Sequence, residues 1–498
     1  MPAVPEPAPV EPVDPAQARE LAAIVAPIAA FGGTASVHVV DVDTGAVVFD
    51  HLGNVPLNPA SNMKLLTAAT ALRVLGPSSR MVTRVRGAVE PGGHVPVLVV
   101  SGEGDPTLRT EDLLVMARQV RDAGARTVDE VRIDGTAFGD GELPPAFEQQ
   151  PSELSAFRAA TAALSVNRNA YVLELLPADA AGGRGEPSPP CAVRVDAGAS
   201  YFDIASTATT GGPRSKLTVG LRHETDPDGR QRLVVDGNVP AGSGVISFRR
   251  RVDDPLRYFG AVFAEALARV GVEGARRVTV RASGAPLPAG LRLLAARDSP
   301  TVARQLYAMG KLSDNFTAEM LLEAVGAHGG GPGTAARGID AQRRTLEAAG
   351  ADPSNATLVN GSGLFDGNLI SADAIAHVLR LMYRDATLRA EYVAQLSVAG
   401  VDGTLGHRLE RLPDGFAVRA KTGTLDDVIA LSGYIVGPPG ARTLAFSFLA
   451  NGVRGQHWST RALADTLVEA LIAHEQAGLA RSEQRAGAAN ATAGVAAR

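Results

Sequence analysis

The segments that read most clearly as β-strands lie at the two ends of the chain, hundreds of residues apart. Ser36 to Asp50 alternates apolar and polar residues around Asp43-Thr44-Gly45, the pattern of a β-hairpin. Ala417 to Thr424, Val428 to Val436 and Thr443 to Ala450 read as three further strands, the last pair joined through Gly437-Pro438-Pro439-Gly440. A helix is expected before the first set, from the cap-and-first-turn pair Asp14-Pro15 to about Ala30. Another is expected after the last set, from about Ser459 to Ala477. These two strands and three compose one five-stranded antiparallel sheet, flanked by helices, only if the ends of the chain come together. The middle of the chain is then an insertion.

On this reading residues 14–82 and 296–480 form one discontinuous α+β domain, and 83–295 an inserted accessory region. Residues 1–13, rich in Pro and acids, are expected to be disordered, and 481–498 to form a loose tail. The insertion holds short apolar or alternating stretches, among them Val97 to Val100, Val131 to Ile133 and Arg232 to Val235, divided by Gly/Pro turns; it reads as β-rich. A length of 498 residues fits roughly three domains with ample core.

Composition removes several classes of function. The net charge is -5 and no run of five or more basic residues occurs, so the electrostatic footprint for nucleic acid or anionic lipid is missing. A lone cysteine, Cys191, makes neither an intramolecular disulfide nor a cysteine zinc site. The first twenty residues lack the basic start, apolar stretch and small-residue cleavage site of a signal peptide. The longest apolar run near the N-terminus, Leu21 to Phe31, is too short to span a bilayer, and no integral membrane segment is expected. The 48 basic residues are 44 arginines and only four lysines, at positions 64, 216, 311 and 421. Where lysine persists in such a chain, a compact amine with an adjustable pKa is the property arginine cannot supply.

Three of those lysines lie in or beside short motifs. Ser61-Asn62-Met63-Lys64 opens a segment of helical spacing, 61–75; residues three apart share a face, so the amine reaches the hydroxyl. A serine at a helix start also turns free backbone N–H groups toward any negative charge forming beside it. Taken alone, the pair is equally an N-cap serine and a solvated lysine. Ser313-Asp314-Asn315 follows Lys311 and precedes another helical run; in a tight turn its hydroxyl and amide project to one side, the first to relay a proton, the second to hold a substrate amide. A second such pair, Ser165-Val166-Asn167, sits in the insertion and reads as structural. Lys421-Thr422-Gly423-Thr424 stands on a predicted strand, whose edge offers backbone groups to an extended peptide that Gly423 lets come close. Lys421 and Thr422 can bind a terminal carboxylate, and the N–H of Thr424 can join that of Ser61 as an oxyanion hole.

The order and types of these motifs match the signature of penicillin-binding proteins and serine β-lactamases. The chain resembles the low-molecular-mass class C penicillin-binding proteins, D-alanyl-D-alanine carboxypeptidase/endopeptidases, because 252 residues separate the first two motifs. Gly102-Glu103-Gly104-Asp105-Pro106, Leu164 to Asn169, Asn360-Gly361-Ser362-Gly363-Leu364 and Val398 to Leu405 extend the likeness over most of residues 18–480. The stretch Asn360 to Phe365 departs from it, an acidic residue and a serine being expected at its two ends. The resemblance implies a penicillin-binding, β-lactamase-like catalytic domain with two domains nested in the insertion. It implies Ser61 as nucleophile, Lys64 as its base under the influence of burial and Lys421, and Ser313 as proton relay. Asn315, Lys421, Thr422, Gly423 and Thr424 would bind substrate. No cofactor or metal is implied; peptidoglycan stem peptides and β-lactams are the expected partners, and the periplasm or cell envelope the expected location. Two rivals are a serine β-lactamase and a catalytically idle peptidoglycan-binding protein. The deacylating Glu-x-x-Leu-Asn of the class A enzymes has no match here, Glu347-Ala-Ala-Gly-Ala being the nearest.

Overall fold

The fold is described from a computed structural model, covering residues 15–139, 143–179, 187–226, 230–281 and 285–496. The expected disordered lead, 1–13, lies outside the described residues. The chain divides into two compact units: residues 1–79, 301–326 and 335–498 form one, and 80–300 with 327–334 the other.

The first unit is built on a sheet of β1 (Thr34–Asp41), β2 (Val47–His51), β3 (Ser397–Val398), β4 (Ala417–Leu425), β5 (Val428–Val436) and β6 (Leu444–Asn451). Its order is β3-β4-β5-β6-β1-β2, antiparallel throughout, with Val37 opposite Phe448 where the two chain ends meet. The expected sheet had five strands. The sixth, β3, is only two residues long and carries no alternating pattern that sequence could reveal.

Both faces of this sheet are covered, so β5 is buried along eight of its nine residues instead of every second one. On one face α1 (Pro15–Val25) packs with the C-terminal helix, and Leu21, Val25, Leu467 and Leu471 join Val37, Val39, Phe446 and Phe448 in one apolar cluster. The first helix stops earlier than expected because Pro27 has no N–H to donate; a short turn, Pro27–Ala30, resumes beyond it. Against the other face lie α2 (Met63–Val74), α3 (Val302–Leu312), α4 (Asn315–Ala327), α5 (Ala335–Ala349) and α6 (Ala372–Arg384), with α6 on β1, β5 and β6 and α2 against α5 and α6. The C-terminal helix, α7, runs His457–Ala496, well past Ala477 and through most of the expected loose tail. Its last turns are rich in Ala with Arg, Glu and Gln, whose helix propensity outweighs three interspersed glycines.

The second unit contains a five-stranded mixed sheet in the order Arg277–Val280, Thr127–Asp134, His94–Ser101, Val82–Gly87 and Arg292–Asp298. Helices Thr110–Asp122 and Pro255–Arg269 pack together beside it. A four-stranded and a three-stranded sheet complete the unit, and buried residues from all three sheets, such as Val131, Tyr171 and Leu233, belong to a single apolar cluster. The second Ser-x-Asn copy lies here. Ser165 Oγ donates to the Ala162 carbonyl (2.9 Å), stapling a local turn, and Asn167 Nδ2 donates to Thr110 Oγ1 (2.9 Å), tying that turn to the start of helix Thr110–Asp122.

Candidate active site

Ser61 sits in a single 3-10 turn, Ala60–Asn62, that leads into α2. Side chains brace the turn. Asn58 Oδ1 accepts from the Ala60 N–H (2.9 Å), and Asn451 of β6 exchanges two hydrogen bonds with the Asn58 backbone, at 2.8 and 3.0 Å. Beneath it Asn62 Nδ2 donates to Ser432 Oγ (2.7 Å), which donates to Ser447 Oγ (2.9 Å), tying the turn to β5 and β6. Ala60 is held at a φ of 45°, a left-handed conformation that costs a non-glycine residue about 1–2 kcal/mol. Two glycines close on the turn. A Cβ on Gly363 would stand 1.8 Å from the Ala60 carbonyl oxygen, and one on Gly423 2.8 Å from that of Pro59.

One helical turn on, Lys64 is buried and reaches three oxygens: Ser61 Oγ at 3.0 Å, Asn315 Oδ1 at 2.8 Å and the Ser362 carbonyl at 2.8 Å. Burial drives its pKa from the ordinary lysine value to about 7, against the opposing pull of Glu319 and Asp314. The influence expected of Lys421 runs the other way: burial first, and then Lys64, push Lys421 well below the usual range. Lys64 is thus depressed by the dry pocket that its helix enters, and not by a neighbouring cation.

Ser313, Asp314 and Asn315 form the junction of α3 and α4. Ser313 ends α3 in the left-handed conformation, φ 57°, and Asp314 caps α4 by accepting from the Thr317 N–H at 3.2 Å. The outer two residues are left for the cleft. Lys421 Nζ donates to Ser313 Oγ (2.9 Å) and to the Thr422 carbonyl (2.8 Å). The structure therefore gathers Ser61, Lys64 and Asn315 into one hydrogen-bonded group and Ser313 and Lys421 into a second, close enough for the two lysines to interact electrostatically.

The strand carrying Lys421 has an open edge. β3 pairs with β4 only as far as Ala420, and the Val418 carbonyl accepts from Ala399 on that side. By the two-residue period of a strand, Thr422 and Thr424 turn their backbone groups toward the same edge, beyond the point where β3 ends. Thr422 Oγ1 donates to Thr404 Oγ1 (2.8 Å), and Arg461 of α7 to Thr424 Oγ1 (3.2 Å).

Several participants were not found in the sequence. The Ser362 carbonyl is a backbone group without a residue signature. Asn360, in place of the expected acid, knits the 360–363 turn: its Oδ1 accepts from Gly363 N and from Asn368 Nδ2 (2.9 Å each), while its Nδ2 donates to the Leu364 carbonyl (3.1 Å). A carboxylate has no hydrogen for that last bond. Glu319, four residues beyond Asn315 and so on the same face of α4, accepts from the amides of Gly361 (2.9 Å) and Ser362 (2.7 Å). An acid in the apolar run Thr317-Ala318-Glu319-Met320-Leu321-Leu322 was the available clue. Asp402, within the 398–405 likeness, grips Lys311 at 2.6 and 2.8 Å.

Residues 17–471 match a family model described as the D-Ala-D-Ala carboxypeptidase 3 (S13) family. The chain is 35% identical over 449 residues to a D-alanyl-D-alanine carboxypeptidase of an Actinomadura species, covering 88% of this chain and 81% of that protein. It is 24% identical over 423 residues to the D-alanyl-D-alanine carboxypeptidase DacB of Haemophilus influenzae, covering 83% and 84%. Among solved structures it is similar to penicillin binding protein 4 of Haemophilus influenzae, with a TM-score of 0.73 at 24% identity over 86% of this chain and 93% of that one. A structure of the same Haemophilus protein complexed with a β-lactam gives 0.71 at 22% identity, over 90% and 98%.

Proposed function

The chain belongs to the D-Ala-D-Ala carboxypeptidase 3 (S13) family of serine hydrolases, and from that premise we propose that Ser61 is its nucleophile and peptidoglycan stem peptides its substrate. The reading rests on one observation, the three partners of Lys64. A neutral amine has two hydrogens and one lone pair. Asn315 Oδ1 and the Ser362 carbonyl carry no hydrogen, so they take the two N–H bonds; Ser61 Oγ alone has a proton to give. The lone pair is thereby aimed at Ser61. With a pKa of about 7, roughly half of the Lys64 amines are neutral near pH 7, against about one in a few thousand for a free lysine.

In the reaction Lys64 takes the Ser61 proton as Oγ bonds to the carbonyl carbon between the two D-alanines. The oxyanion lies between the N–H groups of Ser61 and Thr424. The proton that Lys64 took passes through the Ser313 hydroxyl, beside Lys421, to the leaving amine; the C–N bond breaks, and the ester on Ser61 remains with Lys64 neutral again. Water then cleaves that ester, returning the proton to Ser61. Lys421, Thr422 and Thr424 hold the carboxylate of the last D-alanine, and the open edge of β4, where Gly423 leaves room, takes the peptide as an added strand. Asn315 positions the penultimate amide. The same chemistry opens D-alanyl cross-links, giving endopeptidase action, and β-lactams acylate Ser61 as mimics of the dipeptide. The site of action is the cell envelope, where this substrate is found. Among the described residues no helix is long and apolar enough to cross a membrane.

Incubation with benzylpenicillin followed by intact-mass and peptide mass spectrometry tests the assignment. We expect a stoichiometric adduct on the Ser61 peptide and none in Ser61→Ala, whose acylation rate falls by at least ~10⁴-fold. An adduct on another residue sinks it. Incubation with monomeric pentapeptide and cross-linked dimer muropeptides then separates carboxypeptidase from endopeptidase action.

A further inference from the structure

Glu319 is buried (2% exposed) on the same face of α4 as Asn315, yet it touches none of the groups assigned to the reaction. Its two oxygens accept from the Gly361 and Ser362 amides, and the carbonyl of that same Ser362 is the third acceptor of Lys64. We propose that Glu319 is the positioning residue of the general base: it holds the Ser362 carbonyl against Lys64 Nζ, and its buried charge sets the pH at which Lys64 gives up its proton. The proposal rests on the reading that Lys64 is the base.

Two geometric facts support it. Backbone amides only donate, so a carboxyl facing two of them is favoured in its ionised form. The second acid near Lys64, Asp314, has its oxygen committed to the Thr317 N–H at the start of α4. The titratable groups facing Lys64 are then Glu319 and Asp314 from the α3–α4 junction and α4, and Lys421 from β4. Burial pushes Lys64 down and Glu319 up, and the Ser362 hydroxyl and the two amides oppose the latter shift. Since Glu319 favours the protonated amine, removing its charge lets Lys64 lose its proton at lower pH.

The test is the rate of Ser61 acylation by benzylpenicillin from pH 5 to 9 in the wild type, Glu319→Gln and Glu319→Asp. With only four lysines in the chain, ¹³Cε-lysine NMR follows Lys64 directly alongside. The wild type should show an acid limb near pH 7, rising with pH, that coincides with the Lys64 titration. In E319Q the limb should move down by about one unit, because the opposite charge is gone. Its plateau should fall roughly 10-fold, because the amide NH₂ now faces a backbone N–H. E319D keeps the charge but withdraws it from the amides, so the limb stays within about 0.3 unit while the plateau falls. A limb unmoved in E319Q, or moved by a full unit in E319D, overturns the proposal, and either variant alone suffices if the other does not fold. A wild-type limb that does not coincide with the Lys64 titration instead overturns the base assignment itself.

Discussion

Lys64 and Lys311 are both almost wholly buried, 1% and 6% exposed, but their hydrogen-bond partners differ: Lys64 contacts three neutral oxygens, and Lys311 the carboxylate of Asp402. A buried amine that no carboxylate touches relieves its desolvation by shedding a proton, which is what a base must do. An amine held by both oxygens of a carboxylate works as a clamp. Lys311 is the next-to-last residue of α3, two before Ser313, and Asp402 also accepts from the Val398 N–H at 2.8 Å. The clamp thus joins the end of α3 to the loop carrying Thr404, which touches Thr422. One residue type does chemistry in the first place and holds the geometry in the second.

Swapping each lysine for methionine should separate the two roles. Lys64→Met is expected to lower acylation of Ser61 by about 10³-fold or more, in stopped-flow assays with a chromogenic β-lactam. Its stability to urea should change little, since relief from burying the amine offsets the loss of its hydrogen bonds to Asn315 Oδ1 and the Ser362 carbonyl. Equal acylation in K64M would erase the contrast.

Gly423→Ala probes the wall between strand and nucleophile. Its Cβ would come within 2.8 Å of the Pro59 carbonyl oxygen, 3.0 Å of the Ala430 Cβ and 3.1 Å of the Ala60 Cβ, so the turn carrying Ser61 must move. We expect acylation to drop about 10- to 100-fold at a cost of about 1–2 kcal/mol in urea unfolding. An unchanged rate would mean that the turn yields without displacing Ser61.

Lys311→Met should give the smallest kinetic effect, a few-fold rise in the benzylpenicillin concentration needed for half-maximal acylation. Its stability loss, about 1–2 kcal/mol, is limited by the partial exposure of Asp402, 34%, which lets water screen what remains. The acid limb near pH 7 should not move. A shift of that limb in K311M would show that the two lysines are electrostatically joined.

Much of this was legible beforehand because the relevant signals are local. Hydroxyl and amine three residues apart, a Ser-x-Asn turn between helices and a Lys-Thr-Gly strand each declare themselves in a few residues. The sheet was legible from alternation in β1 and β2 and from the bounding turns of β4, β5 and β6. What was missed depends on contacts between distant segments. The Ser362 carbonyl matters only because the 360–363 turn is folded against α2, and Glu319 only because α4 turns it toward that loop. Of the two causes expected for the Lys64 shift, burial holds and the Lys421 charge does not. Burial belongs to the assembled pocket, whereas a neighbouring lysine can be named from a motif.

The pairing of β1 with β6 has a consequence for how the protein is made. The N-terminal hairpin emerges from the ribosome first, but its partner strand ends only at Asn451. Residues 80–300 can compact while the first strands wait with an open edge, and closing so long a loop is intrinsically slow. The hydrolase is therefore inert for most of its synthesis: a nascent chain owns its serine and first lysine from the outset, but cannot use them until nearly the last strand has been threaded into place.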